Sequence, residues 1–227
     1  MQRSGDQTAV RDWRRRGNEE EAGVATEPMG LPAPDTLRPS QRTRRDRIVK
    51  AALRRLVSGD YESIKVADVA KDAKVALATL YRYFSSKEHL FAAVFYEWQA
   101  SFARRIEASP PAEGSESDRL RNFLGQTVRA FQVQPQFYKM LLVVQMTSDP
   151  YAAEIYVSLD QGFRRIFDAA LGPTTESDRD HDAIFVTLEC VLSRYLTRWV
   201  MGRCSIEDVY AAVQESVRLI YEFPQAA

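Results

Sequence analysis

The sequence is poor in the residues from which metal centres and disulfide frameworks are built. Its two cysteines, Cys190 and Cys204, lie 14 residues apart and form no Cys-x-x-Cys spacing, so we expect neither a structural zinc site nor a disulfide. His181 lies among aspartates at the predicted start of a helix, without a second histidine at ligand spacing. We therefore predict no metal site and no cofactor.

Sequence signatures of catalysis and of membrane insertion are also lacking. The chain contains no glycine-rich phosphate loop and no serine or cysteine in a nucleophile motif, which argues against an enzyme. No apolar run reaches the roughly 18 residues that a membrane-spanning helix needs. The N-terminal residues include charges at Arg3, Asp6, Arg11 and Asp12 and lack the apolar stretch of a secretory signal. We expect a cytoplasmic protein without membrane contact.

Charge is unevenly distributed along a chain whose formal net charge is zero. Residues 38–90 contain 13 Lys and Arg against 6 Asp and Glu, whereas residues 91–227 contain 13 against 18. A basic segment joined to an acidic one is typical of a head that binds a polyanion, carried on a larger body.

Composition and periodicity divide the chain into three parts. Residues 1–38 combine prolines with charge runs and almost no apolar periodicity, so we expect a disordered tail; whether it contacts DNA or is only solvated stays open. Residues 39–90 are predicted to form a helical head and residues 91–227 a larger helical body. No alternating strand pattern occurs, and the predicted fold is all-α.

The head is predicted to contain a helix-turn-helix motif at about residues 65–84. Ser40 is the expected N-cap of a first helix that ends at Gly59. A second helix over Val66–Ala73 and a third over Leu77–Phe84 are separated by a three-residue turn, which is the helix-turn-helix spacing.

The third helix has the residues of a recognition helix. If Leu80 and Phe84 face the core, helical geometry turns Ala78, Thr79, Tyr81 and Arg82 outward, where they can reach base edges and phosphates. Prolines, glycines and apolar spacing predict the remaining helices at about Lys87–Glu107, Asp118–Gln134, Pro135–Thr147, Pro150–Leu171, Asp178–Met201 and Ile206–Phe223.

The run TLYRYFSSKEHL at residues 79–90, with residues 66–76 before it, resembles the signature of TetR-family transcription regulators. The resemblance covers residues 42 to about 98 and implies a homodimer that binds a palindromic operator in double-stranded DNA and responds to a small ligand, usually as a repressor. Two positions depart from the family pattern: Lys74 stands where glycine is usual, and Ala76 where serine is usual. Each departure is expected to cost the head about 1 kcal/mol.

The resemblance and the outward face of the third helix together give the candidate DNA contacts. They are Arg42, Arg44, Arg45, Lys65, Leu77, Ala78, Thr79, Tyr81, Arg82, Tyr83 and Lys87. For the arginines that open the first helix, a solvated face and an arm that reaches DNA are both left open.

Aromatic and apolar residues of the body are the candidates for an effector pocket, although each could equally belong to the core. They are Phe123, Phe131, Phe137, Met140, Val144, Phe163 and Trp199. The body also resembles KstR-type regulators of sterol and lipid catabolism at residues 130–135 and 197–209, which implies an apolar effector such as a sterol or acyl-CoA derivative. The last two helices resemble the dimerisation pair of the family. A helical ligand-binding or interaction protein with a degenerate head is the alternative function.

Overall fold

Every regular element in the described part of the chain is helical. The computed structural model describes residues 31, 33–108, 114–172 and 180–222. Nine α-helices follow one another there: α1 (Pro39–Ser58), α2 (Val66–Asp72), α3 (Leu77–Tyr81), α4 (Lys87–Ala108), α5 (Glu116–Val133), α6 (Pro135–Gln145), α7 (Pro150–Leu171), α8 (His181–Val200) and α9 (Ile206–Glu222). The all-α prediction is confirmed. None of the described helices is long and apolar enough to cross a bilayer.

Ordered structure begins before the predicted end of the tail. A short 3-10 turn at Pro34–Thr36 precedes α1, and Leu37 is buried. Arg38, not Ser40, is the N-cap residue of α1; its backbone N–H donates to Gln41 Oε1 at 2.9 Å. Pro39 takes the first helical position, where its missing N–H costs nothing. Residues 1–30 and 32 of the predicted tail lie outside the described residues.

Several helix bounds differ from the sequence-based prediction, most of all at the end of α3 and at the start of α8. α3 ends at Tyr81 rather than Phe84, because the chain turns at Arg82 towards the start of α4, where Ser86 Oγ accepts the N–H of His89 at 3.0 Å. The N-cap of α8 is Asp180, which accepts the N–H of Ala183 at 3.0 Å. The predicted start at residue 178, the connector at 109–113 and the end at 223 lie outside the described residues.

The core of the head forms as the apolar spacing predicts. The four α1 residues of the apolar stripe have no exposed surface: Ile48, Ala51, Ala52 and Leu56. Leu80 and Phe84 are equally buried and hold the segment after the turn; burial of each such side chain contributes about 2 kcal/mol. The small residue Ala70 of α2 is 2% exposed and allows the close crossing.

The body is organised around α4, which continues from the head and packs along α7. α8 pairs with α9, and α9 also packs on α5. At the end of the body, Glu116 is buried and its Oε1 lies 2.7 Å from both His181 Nε2 and the Tyr221 hydroxyl. The Glu116 carboxylate of α5 therefore links α8, through His181, to α9, through Tyr221. Both cysteines are free thiols.

The turn between α2 and α3 carries the backbone strain that the sequence predicts. Lys74 has a φ of 54°, the one positive value of a non-glycine residue in the described part of the chain. Val75 N–H bonds to Ala70 C=O at 3.0 Å and closes the turn. Ala76 occupies the N-cap of α3 without a side-chain hydrogen bond. The helix-turn-helix geometry is thus retained despite both departures from the family pattern.

Replacing Lys74 with glycine should raise the free energy of unfolding by about 1 kcal/mol, because glycine adopts a positive φ without the clash of a Cβ. Lys74→Ala is the matched control: it removes the same exposed side chain but keeps the Cβ, and should change stability by less than about 0.5 kcal/mol. Urea denaturation of the three proteins measures the difference. Equal stabilities for the Gly and Ala variants would contradict the strained turn.

Candidate nucleic-acid interface and ligand cavity

The outer face of α3 carries four of the side chains assigned to it. Leu77 is 41% exposed and Tyr81 is 45% exposed, and because they are four residues apart they lie on one side of the helix. Ala78 and Arg82 are exposed and Thr79 is half-buried. A small residue beside a tyrosine and an arginine lets the helix approach a groove while the longer side chains reach its walls. Contact of these residues with DNA stays a prediction.

Tyr83 is placed differently from the sequence-based prediction. It is 7% exposed, and its hydroxyl is buried without a hydrogen-bond partner among the described residues. The prediction assumed that the helix continues to Phe84, but α3 ends two residues before Tyr83. Its ring therefore turns into the head, and Tyr83 is corrected from a DNA contact to a core residue.

Lys87 is half-buried at the start of α4 and bonds to another residue of the head. Its Nζ donates to the backbone C=O of Tyr61 at 2.6 Å and lies 4.1 Å from the centre of the Tyr61 ring. Burial lowers the pKa of Lys87. The Tyr61 hydroxyl in turn donates to Glu88 Oε1 at 3.0 Å. In this structure Lys87 thus ties the 3-10 turn at Tyr61–Ser63 to the start of α4. Its contact with a phosphate stays a prediction.

Of the basic residues near the starts of α1 and α2, one packs on the head and the others are exposed or half-buried. We call residues 77–84 the recognition segment. Arg45 packs against it, with its guanidinium carbon 5.1 Å from the centre of the Phe84 ring, and burial lowers the pKa of Arg45. Arg45 therefore braces Phe84 in this structure, and its contact with DNA stays a prediction. Arg42 is exposed and donates to Asp35 C=O at 2.8 Å. Arg44 is half-buried, and Lys65 is exposed at the N-cap of α2.

One carboxylate joins the segment after α3 to the body. Asp149 Oδ1 accepts the N–H groups of Tyr151 and Ala152 at 2.9 and 3.1 Å and so caps α7. Its other oxygen, Oδ2, accepts the Ser85 hydroxyl at 2.6 Å. Ser85 follows Phe84 directly, so this bond connects the start of α7 to the end of the recognition segment. We call Ser85, His89, Asp149 and Tyr151 the junction.

His89 fills the junction as a neutral ring. It is 7% exposed, stacks on Tyr151 with ring centres 5.3 Å apart, and meets Phe84 edge-on at 5.2 Å. Burial lowers its pKa to about 4, so the ring is uncharged at neutral pH. Its Nδ1 accepts the backbone N–H of Ser85 at 3.2 Å. The ring thereby packs the core of the head against α7.

A cavity of about 100 Å³ lies between α4, α5, α6, α7 and α8. Most of its wall is aromatic or aliphatic, and the aromatic lining residues include Trp98, Phe102, Phe131, Tyr138, Tyr156 and Phe163. Sites for drug-sized ligands usually enclose about 300–1,000 Å³. The volume of the cavity in this structure is therefore below that range.

Two of the predicted effector residues, Phe131 and Phe163, line the cavity. Four others, Phe123, Phe137, Met140 and Val144, are buried in the core and are not among its lining residues. Trp199 is half-buried at the end of α8 and also lies outside the lining. Apolar periodicity finds the inward face of a helix, but it does not distinguish a ring that faces a void from one that faces another helix.

Residues of α4 form a wall that was not predicted. Phe95, Trp98, Gln99 and Phe102 all line the cavity. Their spacing of i, i+3, i+4 and i+7 is that of one helix face, so the sequence contained a usable signal. The sequence signal for the junction was weaker. Ser86 and Asp149-Pro150 are capping patterns, but nothing in the sequence indicates that residues 85 and 149 are in contact.

Two family models match this chain. Residues 48–94 match bacterial regulatory proteins of the tetR family, and residues 114–220 match the tetracyclin repressor-like C-terminal domain. The HTH-type transcriptional repressor KstR of Rhodococcus jostii RHA1 is 31% identical over 184 residues, which cover 80% of this chain and 84% of the relative. KstR of Mycobacterium tuberculosis H37Rv is 28% identical over 181 residues, with 80% and 82% covered.

Solved structures show the same fold. A TetR transcriptional regulator from Rhodococcus sp. RHA1 superimposes with a TM-score of 0.69 at 26% identity, covering 83% of this chain and 100% of that one. The regulator FadR of Bacillus subtilis, solved in complex with stearoyl-CoA, gives a TM-score of 0.59 at 18% identity, covering 76% and 96%. The likeness to the second structure concerns the fold alone.

The different placement of two tyrosines gives a matched test. Tyr81→Phe removes an exposed hydroxyl and should weaken binding to a DNA duplex about threefold or more, because a phosphate contact is lost. Tyr83→Phe removes a buried hydroxyl without a partner, so it should leave affinity within about twofold and raise stability by about 1 kcal/mol. Fluorescence anisotropy and thermal denaturation measure the two effects. A larger loss of affinity in Tyr83→Phe would return Tyr83 to the interface.

Proposed function

Because the chain belongs to the TetR family of bacterial transcription regulators, which are not enzymes, we propose that it is a homodimeric repressor of a palindromic operator. We further propose that a small apolar molecule releases it from DNA by entering the cavity of the body. The bond between Ser85 and Asp149 carries this proposal, because it joins the recognition segment to a helix that lines the cavity.

Exposed side chains support the DNA-binding part of the proposal. α3 exposes Ala78 and Tyr81, and the exposed Arg82 follows it directly. Residues 38–90, which include α3, have an excess of basic residues. α8 and α9 expose apolar side chains, including Val186 at 41% and Leu219 at 49%. Apolar faces of this kind are buried when two copies associate. A two-fold dimer then presents two copies of α3 to two half-sites of an operator.

The ligand response follows from how tightly α4 and α7 are packed beside the cavity. Gln99 Nε2 of α4 donates to Leu159 C=O of α7 at 2.9 Å. A methyl group at Gly162 would lie 2.6 Å from Gln99 Oε1, so the Gln99 side chain lies directly against α7 here. A ligand much larger than the cavity of about 100 Å³ is expected to displace this side chain and to shift α7 relative to α4. Asp149 begins α7 and transmits that displacement to Ser85.

The apolar lining indicates a ligand with a hydrocarbon part, but it does not distinguish a sterol from an acyl-CoA derivative. A sterol or the acyl part of an acyl-CoA derivative suits the aromatic wall. Across the described ranges, however, no Lys or Arg lines the cavity, so the wall holds no cation for a carboxylate or phosphate. A neutral apolar probe such as decan-1-ol is therefore the first ligand to test.

The alternative function is a ligand-binding protein whose head no longer binds DNA. It is motivated by Lys74 and Ala76, which depart from the family pattern. The closed turn and the fully buried Leu80 favour an intact head. A salt titration with a duplex selected by the full chain separates the two functions, because affinity for DNA falls steeply with salt when phosphates are contacted. A protein without DNA affinity at low salt would establish the alternative.

Ser85→Ala tests the transmission from cavity to head. In the unaltered protein, saturating decan-1-ol should lower DNA affinity about tenfold, within the usual range of allosteric coupling. In Ser85→Ala the bond to Asp149 is lost, and the same ligand should lower affinity less than about threefold while still binding the body. Fluorescence anisotropy of the duplex and calorimetry of the ligand measure both quantities.

Ser148→Ala is the matched control, because it removes an exposed hydroxyl next to Asp149. It should respond to decan-1-ol like the unaltered protein. A full response in Ser85→Ala would show that the junction does not carry the signal.

A further inference from the structure

The ionisable side chains at the cavity are of one sign. Apart from tyrosines, those that line it are Asp160 of α7 and Glu189 of α8. Lys, Arg and His are absent from the lining within the part of the chain that the structure describes. The cavity thus offers negative charge on a largely apolar wall.

These two carboxylates have no partner that neutralises them. Neither Asp160 nor Glu189 forms an ion pair or a hydrogen bond with another described residue. Burial together with the charge of Asp160 raises the pKa of Glu189, and the pair also contributes to the raised pKa of Tyr156. Glu189 is half-buried, whereas Asp160 is exposed. A carboxylate that is partly withdrawn from water usually acquires a cation or a set of donors, and no described residue supplies either to Glu189.

Several polar groups nearby are already engaged. The Tyr138 hydroxyl lies 2.9 Å from the Ser193 C=O, and Thr127 Oγ1 donates to Phe123 C=O at 3.0 Å. Gln99 is 9% exposed and uses its Nε2 for Leu159. No described residue donates a hydrogen bond to its Oε1. The cavity therefore has spare acceptors and few spare donors.

We propose, on the basis of the function proposed above, that the cavity binds an apolar molecule with a cationic ammonium head rather than a carboxylate or a phosphate. The hydrocarbon part packs on the aromatic rings, and the ammonium group lies between Asp160 and Glu189. Rings of Tyr156 and Phe163 on the same wall add cation–π attraction. An anionic head would face two like charges, and no Lys, Arg or His among the described lining residues could compensate its desolvation.

Three ligands with the same ten-carbon chain isolate the head group: decylamine, decan-1-ol and decanoate. Isothermal calorimetry with the full chain at pH 7, without DNA, should give a dissociation constant for decylamine at least about tenfold below that for decan-1-ol. Decanoate should bind weakest. Equal binding of decylamine and decan-1-ol, tighter binding of decanoate, or no binding of decylamine would each overturn the proposal.

Glu189→Gln locates the effect in the cavity. It should remove most of the advantage of decylamine and leave the decan-1-ol constant unchanged, which shows that the variant is folded. Glu154→Gln is the matched control, since Glu154 is exposed on α7 and does not line the cavity. An equal loss in both variants would indicate general charge attraction and contradict the proposed site.

The two proposals fail separately. If decan-1-ol binds and releases DNA but decylamine has no advantage, only the cationic specificity is wrong. If the protein does not bind DNA or no ligand releases it, the repressor function itself is wrong, whatever the order of affinities.

Discussion

The 2.6 Å hydrogen bond from Ser85 to Asp149 is the contact on which the account of this protein depends. Asp149 is at once the N-cap of α7 and the acceptor for the residue that follows Phe84. Because a carboxylate that caps a helix is held by backbone N–H groups, it moves with that helix. The neutral ring of His89 packs between Phe84 and Tyr151. The junction therefore connects the recognition segment to α7, a wall of the cavity, through one hydrogen bond and two ring contacts.

The size and the lining of the cavity explain how a ligand could act on the bond between Ser85 and Asp149. A space of about 100 Å³ is below the volume of most ligand sites, so we expect a larger ligand to push the surrounding helices apart. Densely packed helices shift as units rather than deform continuously. The contact of Gln99 with α7 at Gly162 places α7 directly beside such a ligand, so α7 would move, and Asp149 with it. The acidic lining then restricts which ligand carries enough binding energy to do so.

Much of the fold was predictable from the sequence, and less of the site. Local rules sufficed for the helices and for the buried Leu80 and Phe84, because each depends on neighbours in sequence. The burial of Tyr83 was missed because α3 ends early, and the bond of Lys87 to Tyr61 was missed because it joins residues 26 positions apart. The junction and the cavity depend on pairs far apart in the chain, for which periodicity contains no information.

The most direct test of the central claim is the distance between the two recognition helices of the dimer. Spin labels at Ala78→Cys, with Cys190 and Cys204 replaced by serine, report this distance by pulsed electron resonance. Saturation of the cavity with ligand should shift the distance distribution, and Ser85→Ala should abolish most of that shift. An unchanged distribution in a dimer whose cavity is shown by calorimetry to be occupied would contradict the account.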